Sequence, residues 1–142
     1  LSARIAVAAL AVAAAAAVAV ALLRSTPEPQ TAFDYYTLAL SWSPTYCATE
    51  DPGGRTAQCG GEPRAFILHG LWPQHQRGWP ENCYTGKRPW VPGAVIDDMM
   101  DVTPGRGLII HQYAKHGTCS GLSPEAYFAA ARNAFESVNI PD

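Results

Sequence analysis

The chain has 142 residues, and its first two dozen do not belong to a globular core. The remainder makes one small domain of about 115 residues, with no room for a second. The formal net charge of -2 excludes a broad basic footprint for nucleic acid, so any phosphate recognition must be local to a cleft and binding to long duplexes by charge alone is not expected.

From Ile5 to Leu23 the sequence is Ala, Val, Ile and Leu without a charge, set between Arg4 and Arg24. A basic start, an apolar stretch and the small residues Ala19-Val20-Ala21 predict that residues 1–23 are a signal peptide cleaved after Ala21. A retained membrane anchor is the alternative, because 19 apolar residues just span a bilayer. Either outcome exports the domain, periplasmic or secreted, and membrane association is expected only if the segment is kept. Residues 24–32, with Pro27 and Pro29 among polar neighbours, read as a linker, and the domain is expected over 33–142.

Alternation from Tyr35 to Trp42 predicts a strand with Tyr36, Leu38, Leu40 and Trp42 on its buried face. The Gly- and Pro-rich stretch from Cys47 to Pro63 reads as a loop that a local Cys47–Cys59 bridge would restrain, and a second strand is expected at Ala65–Leu68. After Trp72 and as far as Pro92 come four prolines, two glycines and three aromatics, the composition of an irregular excursion. A short helix is predicted from Gly93 to Met100 and a second from Arg106 to a cap at Gly117. The third is the best marked, with Ser123 as N-cap, Pro124 at the first helical position and Glu125 facing the dipole, over 124–136. Cys47, Cys59, Cys83 and Cys119 all lie after the export segment, and an even count in an exported domain predicts two disulfides, for which three pairings exist.

Three of the four histidines fall in two short runs, Phe66 to Pro73 around His69 and His111 to Cys119 around His111 and His116. On a helix His111, Gln112, Lys115 and His116 share an arc of roughly 140 degrees and can converge on one small anion. A solvated helix face with cations near its C-terminus is the plainer reading of that run. His69 ends an apolar strand before Gly70, where the backbone is free to turn and present a side chain to a cleft. Two imidazoles, each with an unperturbed pKa of about 6.5, supply what internal phosphodiester transfer needs: one takes the ribose 2′-OH proton and one protonates the departing 5′ oxygen. Lys115 would neutralise charge on the phosphorane. Such chemistry requires no metal.

Both runs resemble the active-site signatures of the ribonuclease T2 family. Phe66 to Pro73 fits F-x-x-H-G-L-W-P throughout, and His111, Lys115, His116, Gly117, Thr118 and Cys119 fit H-E-W-x-K-H-G-T-C. The segment Ser41 to Cys47 is also similar to the family's first strand and its following cysteine, so the likeness covers about residues 33–135. The resemblance implies an α+β fold, an antiparallel β-sheet with packed helices. It also implies a metal-independent endoribonuclease without cofactor, cleaving single-stranded RNA through a 2′,3′-cyclic phosphate, acting as a monomer and not on DNA. By the same resemblance His69 and His116 are the acid and base pair, with His116 taking the 2′-OH proton and His69 serving the leaving group, an assignment that can be exchanged. His111 would hold the phosphate, Lys115 would stabilise the transition state, and Trp72 would offer a stacking platform for a base, with core packing as its alternative. The family also implies a Cys83–Cys119 bridge, which leaves Cys47 with Cys59.

Two departures stand out. Gln112 takes the place of the usual glutamate and Tyr113 that of a frequent tryptophan. An amide can bond a phosphate oxygen but cannot carry a proton or hold Lys115 by charge, so a slower enzyme is expected. Family members also continue well beyond the helix at 124–136, and the domain is expected to be incomplete at its C-terminus. The competing readings are a T2-like domain that binds RNA or protein without turnover, and a zinc hydrolase built on His69, His111 and His116, which lacks an H-E-x-x-H pattern and would set Lys115 against the metal.

Overall fold

The computed structural model describes residues 32–139, and the predicted export segment and nearly all of the linker lie outside them. In chain order the elements are β1 (Tyr35–Trp42), α1 (Ser43–Thr49), β2 (Phe66–Gln74), α2 (Gly93–Met99), α3 (Arg106–Lys115), a 3-10 turn (Gly117–Cys119) and α4 (Pro124–Glu136). Helices pack on an antiparallel β1–β2 pair, the α+β arrangement expected. No helix among the described residues is long and apolar enough to cross a membrane.

The ladder runs from Tyr35 opposite Gln74 to Trp42 opposite Phe66, but Leu40 faces Leu68 while Ala39 faces Gly70. His69 is therefore an extra residue with no partner across the pair, a β-bulge. The bulge shifts the alternation of faces by one, so Leu68 and Leu71, which regular pleating would send to opposite sides, both enter the core. They meet Ile96 and Met99 of α2, Ile109 and Tyr113 of α3, and Tyr127, Phe128 and Ala131 of α4. Tyr127 is fully buried, and its hydroxyl is satisfied by donating to Leu71 O at 2.8 Å.

Several expected boundaries move. β2 does not stop at Leu68, because β1 offers it partners as far as Tyr35, and Gly70 lies within the strand instead of turning it. The glycine is needed there for close approach, since a Cβ would land on Gln112 Oε1 and Trp72 Nε1. Trp42, expected on the buried face, is 47% exposed, its ring lying against Phe66 at the end of the ladder and outside the core cluster. The stretch from Cys47 is not all loop: α1 carries it to Thr49, started by Pro44 in its first turn. Helix α2 ends at Met99, with Met100 as its cap.

Helix α3 ends at Lys115, with His116 as its cap, and the chain passes into the 3-10 turn at Gly117. Gly117 is not a left-handed cap. A Cβ there would strike the Tyr113 ring, and the positive φ comes later, at Gly121 (73°). Helix α4 begins as its sequence suggests, with Ser123 Oγ accepting from Ala126 N–H at 3.3 Å.

The cysteines pair as Cys47–Cys59 and Cys83–Cys119. Inside the first loop Asp51 accepts from the N–H groups of Arg55 (3.0 Å) and Thr56 (2.7 Å), and these bonds hold its carboxyl down at about 2.

Candidate active site

A cleft of about 430 Å³ opens between the sheet and α3. Every candidate from the two signatures borders it: His69 and Trp72 from β2, His111, Gln112 and Lys115 from α3, and His116 at the end of α3. The helical arc thus does face one space. His69 also borders a second cleft of about 720 Å³, on the side of Ser41, Tyr46 and Leu108.

Trp72 organises the two imidazoles. Its ring stacks on His116, with centroids 5.0 Å apart and planes 23° from parallel, and His69 meets it edge-on at 5.8 Å. One face of the indole is therefore taken by His116, so a base would have to use what the cleft leaves open. Its Nε1–H donates to Gln112 Oε1 at 2.7 Å. Gln112 is only 3% exposed, and its carbonyl oxygen accepts from Trp72, which leaves the amide Nε2–H as its group able to donate to a phosphate oxygen. The close contact passes over Gly70, which explains the glycine of the first signature in this chain.

His116 is 5% exposed, and its Nδ1 is buried without a hydrogen-bond partner among the described residues. Burial, then the charge of Lys115 and that of His111, depress its pKa to about 4, against a smaller opposing pull from Glu81. His69 is held below its usual 6.5 by burial and secondarily by His111. Its Nδ1 lies 2.7 Å from Ser41 Oγ. Lys115 Nζ is ion-paired with Glu81 at 3.3 Å, and the backbone N–H of Asn82 donates to Lys115 O at 2.7 Å. With Cys83 bonded to Cys119, the excursion after β2 is thus fastened to the end of α3. That fastening brings in Trp79, which borders the cleft at 60% exposure. Sequence reasoning missed Trp79, Glu81 and Ser41. A tryptophan and an acid just ahead of a cysteine that joins the second signature were the available hint for the first two. Among the described residues no three His, Cys, Asp or Glu side chains form a group able to hold a metal ion, so the three histidines do not make up the set that the zinc reading required.

A small α+β domain whose cleft gathers three histidines and a lysine around a half-buried indole is the class of protein that this fold and site define. Comparison at the level of families matches residues 33–142 to the Ribonuclease T2 family. The chain belongs to that family. It is 46% identical over 99 residues to a ribonuclease of Aeromonas hydrophila, covering 70% of this chain and 43% of the relative. It is 33% identical over 123 residues to a probable ribonuclease of Haemophilus influenzae, covering 77% and 44%. Among solved structures, RNase NT in complex with 5′-AMP superposes with a TM-score of 0.61 at 29% identity, over 74% of this chain and 57% of that one. The chain thus spans less than half the length of these two bacterial relatives.

Proposed function

We propose that this chain carries the catalytic cleft of an endoribonuclease that cleaves single-stranded RNA by histidine acid–base transphosphorylation. The observation that carries the reading is the convergence of His69, His111, Lys115 and His116 on one cleft, with both proton-transfer candidates set against a single indole. His116, neutral above about pH 4, takes the 2′-OH proton. The 2′ oxygen attacks the phosphorus, and Lys115 and His111 offset the charge that develops on the phosphoryl oxygens. The bond to the 5′ oxygen breaks as His69 protonates it, which leaves a 2′,3′-cyclic phosphate. The scheme needs the 2′-OH, so DNA is not a substrate, and it needs no metal. Two clefts that meet at His69 suit a strand continuing on both sides of the cleaved bond. Export by residues 1–23 and action as a monomer belong to the same reading.

Incubating the purified chain with single-stranded RNA in excess chelator should yield cyclic-phosphate ends, and His69→Ala and His116→Ala should each lower the rate by about 10²–10⁴. Binding of RNA without turnover, or cleavage that survives both substitutions, would overturn the mechanism. Size-exclusion mass and the mature N-terminus of the exported chain check the rest.

A further inference from the structure

We infer that Ser41 is a positioning residue for His69, its hydroxyl fixing which ring nitrogen faces the cleft; the expected rate effects rest on the ribonuclease reading, but the geometry does not. Ser41 stands opposite Ile67 on the ladder, two positions from His69 along β2. Because His69 is the bulged residue, nothing on β1 opposes it, and its ring reaches diagonally to the Ser41 hydroxyl, with Oγ and Nδ1 2.7 Å apart. Nδ1 is thereby engaged on the sheet side, and Nε2 is the nitrogen left for proton transfer.

A hydroxyl suits this post because it bonds the ring in both of its charge states. It donates to a bare Nδ1 when the neutral ring carries its proton on Nε2, and it accepts from Nδ1–H when the ring is an imidazolium. In the proposed reaction the imidazolium passes its Nε2 proton to the leaving oxygen. The proton that stays is then on Nδ1, held by Ser41, and the bare Nε2 is the nitrogen able to take a proton back. The ionisable groups around His69 are His111 and Lys115 of α3, His116 at its end, and Tyr46 and Glu50 across the second cleft. None of them bonds Nδ1 among the described residues. The Nδ1 of His116 has no such partner among the described residues.

The test compares Ser41→Ala and Ser41→Thr with the parent chain by ¹⁵N NMR of the His69 ring nitrogens, steady-state RNA cleavage over a range of pH, and thermal melting. In S41A the Nδ1 signal should lose its hydrogen-bonded shift. Its kcat should fall on the order of tenfold at unchanged KM, the cost of one hydrogen bond to the ring. The high-pH side of the rate profile should move to lower pH, since the imidazolium has lost its acceptor, and S41T should restore all three. Unchanged His69 nitrogen signals in a folded S41A protein overturn the proposal, whatever happens to the rate. If the parent chain itself fails to cleave RNA, the ribonuclease reading falls and the nitrogen signals still decide the role of Ser41.

Discussion

Replacing Gln112 by glutamate probes how the cleft sets the strength of its base. Gln112 lies one helical turn before His116 and holds the indole that covers that imidazole. Side chains four apart on a helix have Cβ atoms about 5–6 Å apart. At that separation and an effective dielectric of about 20, a unit charge is worth about 3 kcal/mol, or about two pKa units. A carboxylate favours the imidazolium, so His116 should rise from about 4 towards about 6. The assay is kcat/KM on single-stranded RNA from acidic to neutral pH. Under the proposed scheme the parent chain's rate needs a neutral His116 and a protonated His69. It should therefore peak between about 4 and the lowered pKa of His69, itself below 6.5, and exchange of the two roles leaves that bell unchanged. In Q112E the acidic side of the bell should move up by about one to two units, and turnover near neutrality should rise as the base comes closer to the working pH. An acidic side that stays where it was would refute the electrostatic reasoning.

The same contacts carry further expectations. Lys115→Ala should lower kcat by about 10²–10³ if its charge meets the transition state, measured against Glu81→Gln, which removes only its ion-pair partner. Tyr127→Phe strips the donor from the buried Leu71 carbonyl and should cost about 1–2 kcal/mol by chemical denaturation; a neutral result would mean that water reaches that oxygen. Loop-closure entropy assigns about 4 kcal/mol to Cys83–Cys119, separated by 36 residues, and about 3 kcal/mol to Cys47–Cys59, separated by 12. Replacing the first pair by alanine should also loosen Trp79 and Glu81 at the cleft, with a rise in KM that loss of the second pair should not produce.

Much of the site was legible because its chemistry sits in two short runs, and a helix of period 3.6 brings His111, Gln112, Lys115 and His116 to one side whatever the rest of the chain does. Strand β1 and helix α4 were readable for similar local reasons, the alternation after Tyr35 and the Ser123-Pro124 start. What could not be read depends on partners distant in sequence. Gln112 bonds Trp72 across 40 residues, and that single bond gives it a role in supporting the indole that its place on the helix does not announce. The bulge at His69 is a one-residue offset between two strands, invisible in either strand alone. Gly70 and Gly117 looked like conformational signals but serve close packing. Helix α1, only seven residues long, has too few positions to show a period.

On both sides of His69 the strands pair as they would if that residue were missing: Leu68 with Leu40, Gly70 with Ala39. Relative to the sheet, His69 is an insertion and not a substitution. Deleting it should leave a regular antiparallel pair with the same apolar faces and an intact core, whereas deleting a neighbour such as Leu71 would leave the chain one residue short of its pairing and turn a flank over. The residue assigned to proton transfer is thus the one whose removal the hydrophobic pattern would not register, and foldedness and activity should separate cleanly at that position.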